Sequence, residues 1–259
     1  MYEAVHARPD GASTVSRLAL TAAEYGYEGI VVRNHGDAFP DGETAGQPAP
    51  GEYDAIAAEC GVDVVDGVEV RAEDPSRASG VVGNHRADRG LVCVHGGSPA
   101  MNRFAVSQPA VDVLAHPMAG DGDLDHVLTR RAAENGVRLE LCLADVLRAD
   151  GGVRVQALRK LRKLRQLVEQ YDAPFVVSAD PRAHLHLRAP RELVALGDLV
   201  GLDADQVRAG LREWGVVADR NRERQTDSFV EPGVRRGAYE GDDGTEERTA
   251  ESNDGGDEL

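Results

Sequence analysis

Lysine is nearly missing from this sequence: its 29 basic side chains comprise Lys160, Lys163 and 27 arginines. Aromatic residues are scarce at 4%, which disfavours platforms that stack single-stranded bases. The three cysteines, Cys60, Cys93 and Cys142, lie far apart, each inside or beside an apolar run. They offer neither a disulfide framework nor a paired metal-ligand spacing. No apolar run approaches the roughly 18 residues of a membrane span, and Met1-Tyr2-Glu3-Ala4-Val5-His6 lacks the basic, then apolar start of a secretory signal. A cytoplasmic protein with no membrane partner is expected. A phosphate-loop consensus, a glycine fingerprint after the first apolar run and a glycine-bounded nucleophilic serine are also missing. Their absence removes the commonest nucleotide-binding and serine-hydrolase readings.

What the sequence has in excess is acid. Aspartate and glutamate total 45, leaving a net charge of -16 over 259 residues. Half of that sits in residues 240–259, where nine acids face one base. An acid-rich, lysine-poor, aromatic-poor chain is of the halophile type, in which carboxylates keep a surface hydrated in molar salt. The acidity therefore says little about a partner. At 41% hydrophobic, the remainder can bury a substantial core.

Seven short apolar runs recur at even spacing: Tyr2 to Val5, Gly29 to Val32, Val62 to Val70, Leu91 to Val94, Asp112 to Ala115, Val137 to Leu143 and Pro174 to Ser178. They read as buried strands. Between and after them, helical spacing is clear over Thr14 to Tyr25, Glu52 to Glu59, Asp123 to Glu134, Gly152 to Tyr171, Pro190 to Leu196 and Asp203 to Trp214. This alternation predicts an α/β protein with a TIM-barrel-like (β/α) barrel over residues 1–217. An arginine-containing extension over 218–239 and a disordered acidic tail over 240–259 are expected to follow.

Five of the eight histidines, His6, His35, His95, His116 and His184, fall just past the C-terminal ends of predicted strands, where barrels keep active sites. With Glu69 and Asp180 they suggest the metal-binding barrel hydrolases of the polymerase and histidinol phosphatase superfamily, which this chain resembles only in part. That superfamily has two histidines one residue apart after its first strand, whereas His6-Ala7-Arg8 supplies one, and Asp180-Pro181-Arg182-Ala183-His184 departs from its Asp-any-His ending. Arg33, Arg71, Arg103 and Arg182 near the same rim would repel a divalent ion. A degenerate site is expected, with no metal held by the polypeptide and no catalytic residue of its own. A metal-dependent phosphoesterase remains the alternative.

The densest physical signal is the segment GGVRVQALRKLRKLRQLVEQYD, ending at Asp172. At 100° per residue Leu158, Leu161, Leu164, Leu167 and Val168 share one arc, while Arg159, Lys160, Arg162 and Lys163 share the opposite one, with Arg154 close by. A basic arc in so acidic a chain is the footprint expected for a phosphate backbone, although it also fits the solvated outer face of a barrel helix. Arg182, His184, Arg188 and Arg191 form a second basic group, able to grip phosphate or to shape a loop and cap before Pro190. Arg33 and Arg71 complete the predicted RNA-binding set.

The stretches Gly11 to Asn34, Asp112 to Leu143 and above all Val155 to Gly201, with Ser178-Ala179-Asp180 and Leu187-Arg188-Ala189-Pro190-Arg191-Glu192-Leu193, resemble protein component 3 of archaeal and eukaryotic ribonuclease P. The resemblance covers about residues 1–217. It implies a protein subunit, non-catalytic when isolated, of a ribonucleoprotein whose RNA removes the 5′ leader from precursor tRNA. It further implies ribonuclease P RNA, precursor tRNA and a second small protein subunit as partners, in a heterotetramer, with Mg2+ serving the RNA-catalysed reaction.

Overall fold

A computed structural model of the chain describes residues 1–36, 51–225, 229–231 and 234–235. Seven parallel strands run in sequential order: β1 (Tyr2–Val5), β2 (Gly29–Val32), β3 (Asp63–Val70), β4 (Leu91–His95), β5 (Val113–Ala115), β6 (Arg138–Cys142) and β7 (Phe175–Ser178). The register runs from Tyr2 opposite Gly29 to Cys142 opposite Ser178. The strands carry apolar side chains on both faces because both are covered. Helices pack outside, and Ala4, Val31, Val65, Cys93, Val113 and Val176 point into the barrel. The expected (β/α) barrel is the observed architecture.

The helices are α1 (Val15–Glu24), α2 (Glu52–Cys60), α3 (Pro75–Asp88), α4 (Pro99–Val106), α5 (His126–Asn135), α6 (Ala144–Arg148), α7 (Gly151–Tyr171), α8 (Pro190–Val200) and α9 (Ala204–Arg224). Periodicity alone does not reveal α3, which buries only Ala78 and Val82. Its start is chemical instead: the Asp74 carboxylate accepts from the amides of Ser76 and Arg77, and Pro75 fills the first turn. Helix α4 begins the same way, with Ser98 capping Met101 ahead of Pro99.

Strands β7 and β1 do not pair, so the barrel has a seam. Glu3 bridges it: its fully buried carboxyl accepts from the Ser178 hydroxyl at 2.8 Å and from the Ala179 amide at 3.2 Å. Helix α9 lies across the same gap. Gly210 brings it against β7 and Gly215 against β1, since an added methyl would stand 2.6 Å from Val177 Cγ2 or 2.5 Å from the Tyr2 ring. Between them Trp214, fully buried, fills the barrel interior and donates its indole N–H to the Val177 carbonyl at 2.9 Å, satisfying an edge that has no ladder partner.

The barrel was expected to end at Val217; helix α9 instead runs on to Arg224 with Ala218 and Asn221 fully buried. What appears in sequence as arginine alternating with polar residues is an anchored face. Arg220 and Asn221 bond the buried Asp112, and Arg222 bonds Asp63 at 2.7 and 2.8 Å. The compact unit spans Met1–Glu223. In the remaining unit β8 (Phe229–Glu231) and β9 (Val234–Arg235) form an antiparallel pair. Residues 37–50 and all of the acidic segment 240–259 lie outside the described residues.

Candidate functional site at the barrel mouth

Each strand delivers at least one polar group to the C-terminal mouth as its apolar run ends. His6 follows β1, Arg33 and His35 follow β2, Glu69 and Glu140 point from β3 and β6, His95 closes β4, and His116 and Asp180 follow β5 and β7. His116 and Asp180 have positive φ of 49° and 46°, a conformation that costs about 1–3 kcal/mol for residues other than glycine. Bonding secures it, since the His116 amide donates to Glu140 at 2.9 Å and the Asp180 amide to Ser178 Oγ at 2.8 Å.

Arg33 is the centre of this assembly. Expected on the RNA-facing rim, it is fully buried, so no phosphate backbone can reach it. Its guanidinium stands 2.6 Å from Glu140, 3.1 Å from Glu69 and 3.3 Å from Asp180, and rests over the Trp214 ring at 5.6 Å. The strand end GIVV-R looks the same whether its arginine turns in or out. The interior carboxylates decide the direction, because buried anions require a counterion.

The histidines form a crown above. His6 Nδ1 and His35 Nδ1 lie 2.5 and 2.9 Å from Asp10 Oδ2, His6 Nε2 is 3.0 Å from Asp180, and His95 Nδ1 is 2.5 Å from Glu69. The rings pack in pairs, His6 on His35 at 4.7 Å and His95 near His116 at 4.9 Å. Burial opposes charge on His35, but the adjacent carboxylates of Asp10 and Glu69 outweigh it and raise the ring to about 9. Burial likewise pushes Glu69 and Asp180 up, and Arg33 with the neighbouring imidazoles overturns that push, holding both well below the usual carboxylate range. Asp10, which no sequence signal singled out, sits in a turn after β1 and carries two of these contacts.

Three sets of donors, His6 with Asp10 and His35, His35 with Glu69 and His95, and His116 with Glu140 and Cys142, each lie within 4.8 Å of one another. They do not fit a resident ion. The His6–Asp10 and His95–Glu69 separations of 2.5 Å are direct hydrogen bonds, and the 2.9 Å from His35 to Asp10 is likewise shorter than the roughly 3.3 Å between two donors sharing one tetrahedral zinc at about 2.0 Å. Arg33 already holds three of the carboxylates. Cys93 is fully buried, and burial pushes its thiol up, as befits a core residue.

The predicted basic residues divide by placement. Arg154, Arg159 and Arg191 are exposed, with no side-chain partner among the described residues. Lys160 is tied to the carbonyls of Met118 and Gly120, Arg162 to the Leu199 carbonyl, and Lys163 to both oxygens of Asp123. Helix α7 thus uses three of the four residues of its basic arc to hold the β5–α5 loop and the end of α8. Arg188 bonds the Leu185 and Leu187 carbonyls, and His184 pairs with Ser13 at 2.9 Å. Arg182 is half-exposed and keeps only loose contacts, 3.7 Å to Asp180 and 4.0 Å to Asp10; Arg71 is exposed beyond β3. The mouth itself opens into a cavity of about 260 Å³ between α7 and the strand ends, bordered by His116, Arg148, Lys160 and Leu164.

Comparison with known proteins places this arrangement. The chain is 60% identical over 235 residues to ribonuclease P protein component 3 of Haloarcula marismortui, covering 91% of this chain and 96% of that one. It is 35% identical over 233 residues to the same component of Methanosarcina barkeri, covering 89% and 92%. Its fold matches a chain in a cryo-EM structure of archaeal ribonuclease P with mature tRNA (TM-score 0.76, 24% identity, 93% of this chain and 99% of that one). A weaker match is histidinol phosphate phosphatase of Lactococcus lactis complexed with zinc, L-histidinol and phosphate (TM-score 0.51, 13% identity, 78% and 94%). The phosphatase shares the barrel, and at that identity only the barrel. The family model described as RNase P subunit p30 matches residues 1–226, the whole span from β1 through the end of α9. With that match over nearly the whole compact unit and relatives of near-equal length, the chain belongs to the RNase P subunit p30 family.

Proposed function

We propose that the chain is a protein subunit of cytoplasmic ribonuclease P and supports the catalytic RNA in removing the 5′ leader from precursor tRNA. The observation that carries this reading is family membership over nearly the whole compact unit. The site agrees with it. The carboxylates at the mouth are committed to Arg33, so the polypeptide contributes binding surface rather than a nucleophile or general base. The phosphoesterase alternative needs those same carboxylates and loses them to the arginine.

In this reading Arg154 and Arg159 on α7 and Arg191 on α8 contact the RNA backbone, with Arg71, Arg182 and His184 at the margin of the same interface. Lys160, Lys163 and Arg188 set the loops between them, and Arg162 ties α7 to the end of α8. The Mg2+ requirement belongs to the RNA. A second small protein subunit joins the assembly as a heterotetramer.

Charge reversal tests the interface. Arg154→Glu, Arg159→Glu and Arg191→Glu together should leave the circular dichroism spectrum unchanged and weaken binding to ribonuclease P RNA. Each lost contact should lower the slope of log affinity against log salt by about 0.7 to 0.9. Wild-type affinity and slope in the triple variant would place the RNA elsewhere. Hydrolysis of phosphate monoesters by the isolated wild-type chain with manganese or zinc would revive the phosphoesterase.

A further inference from the structure

The carboxylates at the mouth gather around a cation that the chain itself supplies. Glu69 and Glu140 are shielded completely from solvent and Asp180 almost so, and each has an oxygen within 3.3 Å of the Arg33 guanidinium. Three carboxylates this close repel one another strongly in a medium of low dielectric, and burial leaves them little water for relief. One planar cation with five donors is the minimum that holds them. Even so the set is not fully satisfied. Arg33 NH1 faces Glu69 Oε2 at 3.1 Å without the alignment of a hydrogen bond, and His6 Nε2, His35 Nε2 and His116 Nε2 are buried without an aligned hydrogen bond, their nearest carboxylate oxygens standing 3.0, 3.4 and 3.8 Å away.

Those leftover atoms converge on the space beside the guanidinium. His116 Nε2 is 3.8 Å from Glu69 and 4.0 Å from Asp180, and His6 Nε2 is 3.8 Å from Glu69. Imidazole nitrogens and carboxylate oxygens in one shielded pocket are the donor set that suits zinc or manganese. We infer that Arg33 takes the seat a divalent ion would otherwise occupy in this barrel, and that its removal turns the cluster into a divalent-metal site. The two cations exclude one another. Both need the same oxygens of Glu69, Glu140 and Asp180, and a guanidinium within 3.3 Å of all three offsets part of their charge and fills the space an ion would need. The arginine therefore does structurally what a metal would do, while leaving no Lewis acid at the mouth. This inference is independent of where RNA binds.

Untagged full-length chain in wild-type, Arg33→Met and Arg33→Lys forms tests it. Each is incubated with zinc or manganese chloride, dialysed against metal-free buffer, and assayed for bound metal by mass spectrometry and for melting temperature with and without EDTA. Wild type and Arg33→Lys should retain no stoichiometric metal and melt identically with chelator. Arg33→Met should melt lower, retain one ion or more per chain, and gain melting temperature with the logarithm of metal concentration, an effect that EDTA reverses. Adding His116→Ala to Arg33→Met should reduce the retained metal. Stoichiometric metal in wild type would show that arginine and ion coexist and would overturn the inference. So would an Arg33→Met chain that stays metal-free, whether folded or not.

Discussion

At the scale of single residues, buried aspartates and arginines act as fasteners. Asp112 is nearly fully buried, and its carboxylate accepts from Arg86 at 2.7 Å, Arg220 at 2.6 Å, Asn221 at 3.0 Å and the Val92 amide at 2.9 Å. One side chain thereby ties α3 and α9 to β4. Asp112→Asn keeps the shape but loses the charge that both arginines answer, and it should cost roughly 2–3 kcal/mol in urea denaturation. A loss below about 0.5 kcal/mol, the level of an ordinary surface change, would mean that the arginines simply reorient to water. Residues of this kind are poorly legible in sequence. With 45 acids in the chain, nothing in the composition separates Asp112 from the solvated rest. Arg33 was misplaced for the same reason, because an arginine after an apolar strand is compatible with either face.

At the scale of elements, the seam between β1 and β7 is where the barrel departs from a closed ladder. Glu3 stitches it, and burial pushes its carboxyl up to about 7 despite hydrogen bonds from Ser178, Ala179 and Ala4 and the pull of Arg33. Folding therefore favours the protonated form. The contribution of Glu3 to stability is full below its ordinary value of 4.5 and is lost as pH rises through 7. Relative to Glu3→Gln, which cannot ionise, wild type should lose roughly 3 kcal/mol between about pH 5 and pH 8. Taking the difference between the two proteins cancels the histidine crown, whose raised His35 and His6 titrate in the same direction. A constant difference across that range would show the carboxyl to be ionised throughout, carried by its three donors. The strands and six of the helices were legible from apolar spacing. Helix α3 was hidden by its small buried face, and the last turns of α9 by anchoring polar groups.

At the scale of the molecule, charge is divided between a paired interior and an acidic exterior. The relatives 54 to 60% identical come from halophilic archaea, which accords with the acid-rich, lysine-poor composition. With a net charge of -16, half of it in residues 1–239, like charges in the chain repel one another at low salt. Raising potassium chloride from 0.1 M to 1 M shortens the Debye length from about 10 Å to about 3 Å and should raise the melting temperature. The cost of Asp112→Asn should change little over the same range, since its buried contacts are screened much less. A melting temperature that is flat or falls with salt would mean that ion pairs at the surface, rather than repulsion, dominate its electrostatics.

Sequence by itself determined the barrel, the basic helix and the family. Apolar β-branched runs at even spacing can be buried only as strands covered on both sides, and a leucine arc opposite an arginine arc orients its own helix. Tertiary structure alone decided which charges face inward. Lys160, Arg162 and Lys163 share one arc with Arg159, yet the first three meet other parts of the chain, a loop and the end of α8, and the last meets solvent. Arg33, Glu69, Glu140 and Asp180 are separated by up to 147 positions and converge only when seven strand ends form a ring. A side chain's direction in a strand alternates locally, but what waits at the end of that direction is set by residues far away in the chain.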